Sequence, residues 1–189
     1  MKTRESGMPD EGLWASFFDS PAILDRLGLR AGVGNVVEFG CGYGTFTMPA
    51  AERSHGTVYA FDIDPQMAAM TAAKAKRVGR WNVLAIVRDF IDAGTGMPDA
   101  HADYAMLFNI LHAENPLAML REAWRVLRPG GILGVMHWNF DPATPRGPSM
   151  EIRPRPEQLV SWAEEAGFQL RTPGVVDLPP YHYGMALQK

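Results

Sequence analysis

The sequence is short of several things, and each shortage excludes a class of protein. Its 189 residues include one cysteine. One thiol closes no internal disulfide, and with no Cys/His spacing pattern around it a structural zinc site is excluded, so no metal is expected. No apolar run reaches the roughly 18 residues of a membrane span. The start, Met1-Lys2-Thr3-Arg4-Glu5-Ser6-Gly7, lacks the apolar core of a signal peptide. Charge of one sign is also missing: 18 Lys+Arg against 21 Asp+Glu leave a net charge of −3. That balance gives no footprint for a polyanion and disfavours a nucleic-acid partner. Repeats and low-complexity tracts are absent. What remains is ordinary globular usage, 47% apolar and 21% charged. One cytoplasmic domain over 1–189 is expected, burying roughly 70% of its unfolded surface. Nothing in this composition sets an oligomeric state.

Apolar runs and helical patterns alternate along the chain. Asn35 to Phe39, Thr57 to Phe61, Val83 to Val87, Tyr104 to Phe108 and Ile132 to Trp138 read as strands. Residues 168–177 and 183–187 read as two more. Asp64-Pro65 supplies a cap and a first-turn proline for a helix over 65–78. Helices are also predicted after the glycine turn to about Arg53, over 116–127 and over 156–166, with Arg128-Pro129-Gly130-Gly131 stopping the one over 116–127. Such alternation predicts βαβ units and a mostly parallel sheet covered on both faces. Ahead of it, 1–30 is a helical segment in which Ser20-Pro21 opens a helix ending near Gly28. Trp14, Phe17 and Phe18 are expected to pack that segment onto the sheet in preference to covering a ligand.

The first strand runs into Glu38-Phe39-Gly40-Cys41-Gly42-Tyr43-Gly44. Glycines at a strand-to-helix turn let the backbone bend tightly and let a ligand approach it without an intervening Cβ. The spacing is GxGxG with an acidic residue two before the first glycine, not GxGxxG. Glu38 is a poor neighbour for a pyrophosphate and a good one for an ammonium group. Asp62, closing the second strand, can accept both hydroxyls of a ribose. Asp64 is better explained as a helix cap. Asp89 closes the third strand with Phe90 behind it; a carboxylate beside an adenine and a loop-solvated carboxylate are equally good readings.

Together these residues resemble the class I S-adenosylmethionine-dependent methyltransferases, in particular small ones of the ubiquinone/menaquinone-biosynthesis type. The resemblance covers about 33–187. It rests on the glycine turn, Phe61-Asp62-Ile63-Asp64-Pro65, Arg88-Asp89-Phe90, Ala102-Asp103-Tyr104, Leu111-His112, and Arg125-Val126-Leu127-Arg128-Pro129-Gly130-Gly131. It implies a Rossmann-like, doubly wound α/β sheet of seven strands with an antiparallel last strand. It implies S-adenosylmethionine as cofactor, held by Glu38 at the amino group, by the turn Gly40, Cys41, Gly42 and Gly44, by Asp62 at the ribose, and by Asp89 with Phe90 at the adenine. Ile63 and Met67 would pack on the adenine, and Asn109 would lie beside the methyl donor. Two departures stand out. The family pattern pairs two histidines after the fourth strand, where this chain has His112-Ala113, and Pro49 is tolerable only in a helix's first turn.

Open α/β sheets bind ligands beyond the carboxyl ends of their parallel strands. That places Asn109, His112, His137, Trp138, Asn139 and the turn 179–184 near an acceptor. A base for an oxygen or carbon acceptor would be His112 or His182. His55 and His101 are read as solvated, as are Arg146, Arg153 and Arg155 in the loop after the fifth strand. The expected function is methyl transfer to a small molecule. A cofactor-binding module or partner subunit without catalysis is the alternative, with a nicotinamide-dependent oxidoreductase behind it.

Overall fold

The computed structural model describes residues 8–189; Met1–Gly7, on which the signal-peptide argument turned, lies outside the described residues. Seven strands form one sheet: β1 (Val36–Phe39), β2 (Val58–Asp62), β3 (Val83–Val87), β4 (Ala102–Phe108), β5 (Leu127–Trp138), β6 (Gln169–Leu178) and β7 (His182–Gln188). Their order is β3-β2-β1-β4-β5-β7-β6. The first five pair in parallel, and β7 pairs antiparallel to both β5 and β6. The expected seven-stranded, mostly parallel sheet is therefore present, and its antiparallel strand is inserted one place in from the edge.

Alternation along each strand builds two cores, because successive side chains point to opposite faces. Val37, Phe39, Ala105, Leu107, Leu133 and Val135 face one way, toward α6 (Pro116–Val126) and α7 (Pro156–Glu165). Val36, Val58, Tyr104, Met106 and Met136 face the other way, toward α2 (Ser20–Arg26) and α3 (Thr47–Arg53). The Tyr104 hydroxyl, buried in that second core, donates to the Leu27 carbonyl at 2.9 Å.

Helix starts follow their caps. Asp64 caps α4 (Pro65–Arg77) by accepting from the Gln66 N–H, and Asn115 caps α6 by accepting from the Ala118 N–H. Both are followed by proline, whose missing N–H costs nothing at a first turn. For α2 the cap is Asp19, not Ser20, since the Asp19 carboxylate accepts from the Ala22 N–H. Pro49 falls in the first turn of α3. The largest boundary difference is β5, which begins at Leu127, paired with Ala102, and shifts register before Ile132 pairs with Tyr104. The Arg-Pro-Gly-Gly stretch is thus an irregularity inside the strand pairing, where sequence reasoning had a separate turn. A short helix, α1 (Glu11–Ala15), lies upstream, capped by Asp10.

Chain order decides where a ligand can sit. From β1 the chain builds outward to β3, then crosses back to place β4 on the other side of β1. Connections leaving β1 and β4 therefore diverge and open a crevice beyond their carboxyl ends.

Candidate active site

Gly40, Gly42 and Gly44 all adopt positive φ (79°, 51° and 71°), a region that side-chain-bearing residues rarely enter. The turn they form is tied down from two sides. The Gly40 and Cys41 amides both donate to the Phe61 carbonyl, at 2.8 and 2.9 Å. Asp62 Oδ2 accepts from the Gly42 N–H at 2.8 Å, while Oδ1 accepts from the Asp64 N–H at 2.9 Å. Thr71 on α4 donates to the Gly42 carbonyl at 2.8 Å.

A cavity of about 490 Å³ opens over this turn. It brings together Glu38, Gly40, Cys41, Gly42, Asp62, Ile63, Asp89, Phe90, Asn109 and His112 on one wall system. Three expected site residues are elsewhere. A Cβ on Gly44 would meet Thr71 and Met48, so this glycine serves packing between the turn and α4. Met67 is buried in α4 away from the cavity lining. His182 is buried as well, its ring 4.8 Å from that of Phe18 and 4.2 Å from that of Trp138.

Burial sets the charge states. Glu38 is pushed up to about 8, first by desolvation and then by the nearby Asp62 carboxylate, with the Thr47 hydroxyl only partly offsetting them. Asp62 is raised by burial against the pull of its backbone donors. Asp89 caps α5 (Phe90–Ala93), accepting from the Ile91 and Asp92 amides at 3.2 and 3.3 Å, while also facing the cavity. Neither of its two sequence readings had included that cap. Asn109 sits at positive φ (57°) just past β4, with its N–H donating to the Met136 carbonyl. Its side-chain amide is buried and, among the described residues, has no hydrogen-bond partner; the same holds for the Thr45 hydroxyl beside it on the lining.

The β5 side of the cavity is aromatic and looped. Trp138 lines it with Trp14, Phe46, Phe108 and Ile152. Trp14, expected only to pack, does both: it faces the cavity and touches Phe18 and Trp138. The turn 179–184 stands one layer back. Tyr181 stacks on Trp138, and the Tyr183 hydroxyl donates to the Pro154 carbonyl. His112 reaches His137, on β5, with Nδ1 3.2 Å from Nε2.

Arg153 is not the solvated arginine expected of that loop. It is buried, and its guanidinium donates to the carbonyls of Asn139, Asp141, Arg146 and Pro148 and to Thr144 Oγ1. It gathers the loop whose residues Arg146–Ser149 line the cavity. Arg155 lies over the Phe140 ring at 3.7 Å. His101, also expected to be solvated, contacts the Tyr59 hydroxyl at 3.1 Å. Thr45, Phe46 and Phe108 were missed altogether. Phe108 entered the sequence reading only as the end of a strand, Phe46 only as part of the stretch after the glycine turn, and Thr45 carries no pattern of its own.

A family model described as a methyltransferase domain matches residues 36–131. The chain belongs to the S-adenosylmethionine-dependent methyltransferase family. A Mycolicibacterium smegmatis protein classed with such methyltransferases is 27% identical over 96% of this chain and 72% of its own length. The tRNA 5-carboxymethoxyuridine methyltransferase of Escherichia coli is 30% identical over 71% of this chain, which spans only 59% of that relative. A methyltransferase structure from Aquifex aeolicus superposes with a TM-score of 0.82, at 24% identity, covering 95% of this chain and 93% of its own. The methyltransferase's cofactor is S-adenosylmethionine, and the nicotinamide reading falls away. The cavity suits that cofactor. A buried carboxyl answers an ammonium, the Asn109 amide and Thr45 hydroxyl are polar groups without hydrogen-bond partners among the described residues, and two more carboxylates follow along the sheet. Among the described residues no helix is long and apolar enough to cross a membrane.

Proposed function

We propose that this methyltransferase methylates a small, largely apolar molecule, with His112 as the base that accepts its proton. The observation that carries this reading is the order of groups across the sheet. The carboxyl-bearing positions follow β3, β2 and β1 (Asp89, Asp62, Glu38), Asn109 and His112 follow β4, and the aromatic wall closes on the β5 side. The carboxylates thus run along the β3-β2-β1 strand ends, while Trp138 and the loop after β5 close the cavity beyond β4, and Phe46 after β1 and Phe108 at the end of β4 complete the aromatic lining.

When bound, the cofactor supplies a methyl group on a cationic sulfur that departs as a neutral thioether. The protein's own residues do the rest. Glu38 would take the ammonium, Asp62 the ribose, and Asp89 with the Phe90 backbone the adenine edge, while Ile63 packs on the ring. Trp14, Phe46, Phe108 and Trp138 would exclude water and hold an apolar acceptor in line, a positioning effect worth roughly 7–11 kcal/mol. Proton removal by a placed imidazole adds about 10²–10⁴-fold. Net charge of −3 and a lining in which the rings of Trp14, Phe46, Phe108 and Trp138 stand against one arginine, Arg146, among the described residues support a small molecule over tRNA or protein. The single unpaired cysteine agrees with a cytoplasmic setting.

The test is to incubate the purified full chain with S-adenosylmethionine carrying a labelled methyl group, in separate reactions with a metabolite extract, total tRNA and ribosomal protein. Label is expected in low-mass products. Label confined to tRNA or to protein would overturn the small-molecule reading.

A further inference from the structure

His112 does not stand alone on the cavity wall. Behind it, His137 is fully buried within β5, with the Tyr183 ring of β7 at 6.4 Å. Burial drives its basicity well below the ordinary histidine range, and His112, His182 and the buried Arg153 push the same way; the backbone of Trp138 opposes them, drawing a proton to the ring. His137 is therefore a neutral imidazole, with one N–H and one lone pair.

Which nitrogen carries that proton decides what His112 can do. Nε2 of His137 is the atom facing His112 Nδ1 at 3.2 Å. Nδ1, the ring nitrogen nearer the main chain, makes no hydrogen bond among the described residues, so the contact between the two rings is the one that couples their tautomers. A proton on His137 Nδ1 leaves Nε2 as an acceptor, and the shared proton then belongs to His112.

We propose that His137 is a positioning residue: its Nε2 accepts the Nδ1 proton of His112 and thereby holds the His112 lone pair on Nε2, the nitrogen that acts as base. This rests on the reading of His112 as the base. An unconstrained imidazole in water favours the opposite tautomer, protonated on Nε2 and useless for accepting a proton there. The balance of the step is simple. The acceptor's electron pair forms the bond to the methyl carbon, the carbon–sulfur electrons stay on sulfur, and the acceptor's proton goes to His112 Nε2. The imidazolium formed keeps its Nδ1–H bonded to His137 and returns the new proton to solvent. His137 stays neutral throughout, playing the orienting part without carrying a charge of its own.

The experiment is long-range ¹H–¹⁵N correlation on the full chain labelled in its histidines, with the His112 signals assigned by their loss in His112→Gln. In the unsubstituted protein His112 is expected as the Nδ1–H tautomer, and His137 as a neutral Nδ1–H ring. His137→Leu should move His112 mainly to Nε2–H, while His137→Gln, whose amide oxygen reaches about the place of Nε2, should restore Nδ1–H. Finding His112 protonated on Nε2 in the unsubstituted protein overturns the proposal, and that result needs no variant to fold. Calorimetry with S-adenosylmethionine on the same samples separates the two ideas. A wrong tautomer with intact cofactor binding defeats only the positioning role, whereas the expected tautomer without cofactor binding defeats the methyltransferase site.

Discussion

The Thr47 hydroxyl donates to Glu38 Oε2 at 2.5 Å, and both residues are buried. That one neutral donor is too little to keep the carboxyl ionised, so Glu38 holds its proton up to about pH 8. An incoming ammonium must displace it. Binding of S-adenosylmethionine at pH 6.5 should therefore release close to one proton, measurable as a dependence of the calorimetric enthalpy on the buffer's ionisation enthalpy. Glu38→Gln should abolish the release and weaken binding by about 10- to 100-fold, as for one lost charge-assisted hydrogen bond. Undiminished proton release in that variant would point to a different group.

The same carboxyl gives the cofactor-free protein a falling stability curve. Its folded value lies above its unfolded one, so its contribution is fully present below pH 4.5 and is lost as pH rises to about 8. His182, lowered to about 3 chiefly by burial, and His137, lowered for the same reason, act in the opposite sense, but only below 6.5. From pH 6.5 to 8 Glu38 is therefore not opposed by them. The loss is about 2 kcal/mol, or a melting temperature lower by about 4–8 °C for a chain of this size. Thermal scans on the cofactor-free protein should show it, and Glu38→Gln should flatten it.

Asp62 and Asp64 lie two residues apart and do different work. Asp62 braces the glycine turn with one oxygen and the start of α4 with the other, and it faces the cavity; the Asp64 carboxylate accepts from the Gln66 amide. Asp62→Ala should weaken cofactor affinity by about one to three powers of ten. Asp64→Ala should cost about 1 kcal/mol of stability as a lost cap and leave affinity nearly unchanged. Titration calorimetry and denaturant unfolding on both variants would expose a reversed assignment.

His182 is a ring among rings, with neither nitrogen hydrogen-bonded among the described residues. His182→Phe removes two unsatisfied polar atoms from an apolar layer, a change that should hold or raise the melting temperature while leaving cofactor binding intact. A marked loss of affinity would return His182 to the site.

Arg153 should betray its role in hydrogen exchange. Lysine cannot reproduce a planar fork that reaches four carbonyls and a hydroxyl, so Arg153→Lys should speed amide exchange across 139–155 and leave β1 to β4 as protected as before. Uniform deprotection would mean that Arg153 supports the whole fold.

The fold was legible because its signals are local: strand runs rich in apolar residues, an Asp-Pro helix start, glycines at a strand end. So were the residues at the carboxyl ends of β1 to β4, since strand ends can be found by pattern and a parallel sheet gathers them at one edge. The acceptor side resisted for physical reasons. Whether Phe46 and Phe108 face a core or a cavity depends on neighbours far away in sequence. Arg153 looked solvated because its partners are backbone carbonyls, which leave no trace in residue identity. For the turn at 181–183, topology gave the correct edge of the sheet, but Trp138 stands between it and the cavity.

The insertion of β7 between β5 and β6 has a bearing on the order in which a growing chain acquires its parts. Everything that would grip the cofactor belongs to strands β1 to β4 and the helices between them, neighbours in sequence as well as in space. That half can assemble while the rest is still being made, as chains fold from the amino end during synthesis. The aromatic wall is backed by His182 and Tyr181, at the start of the last strand and just before it. A nascent chain would thus own a cofactor grip and three rings of the aromatic wall, Trp14, Phe46 and Phe108, before Trp138 and its backing closed the place where anything could be methylated.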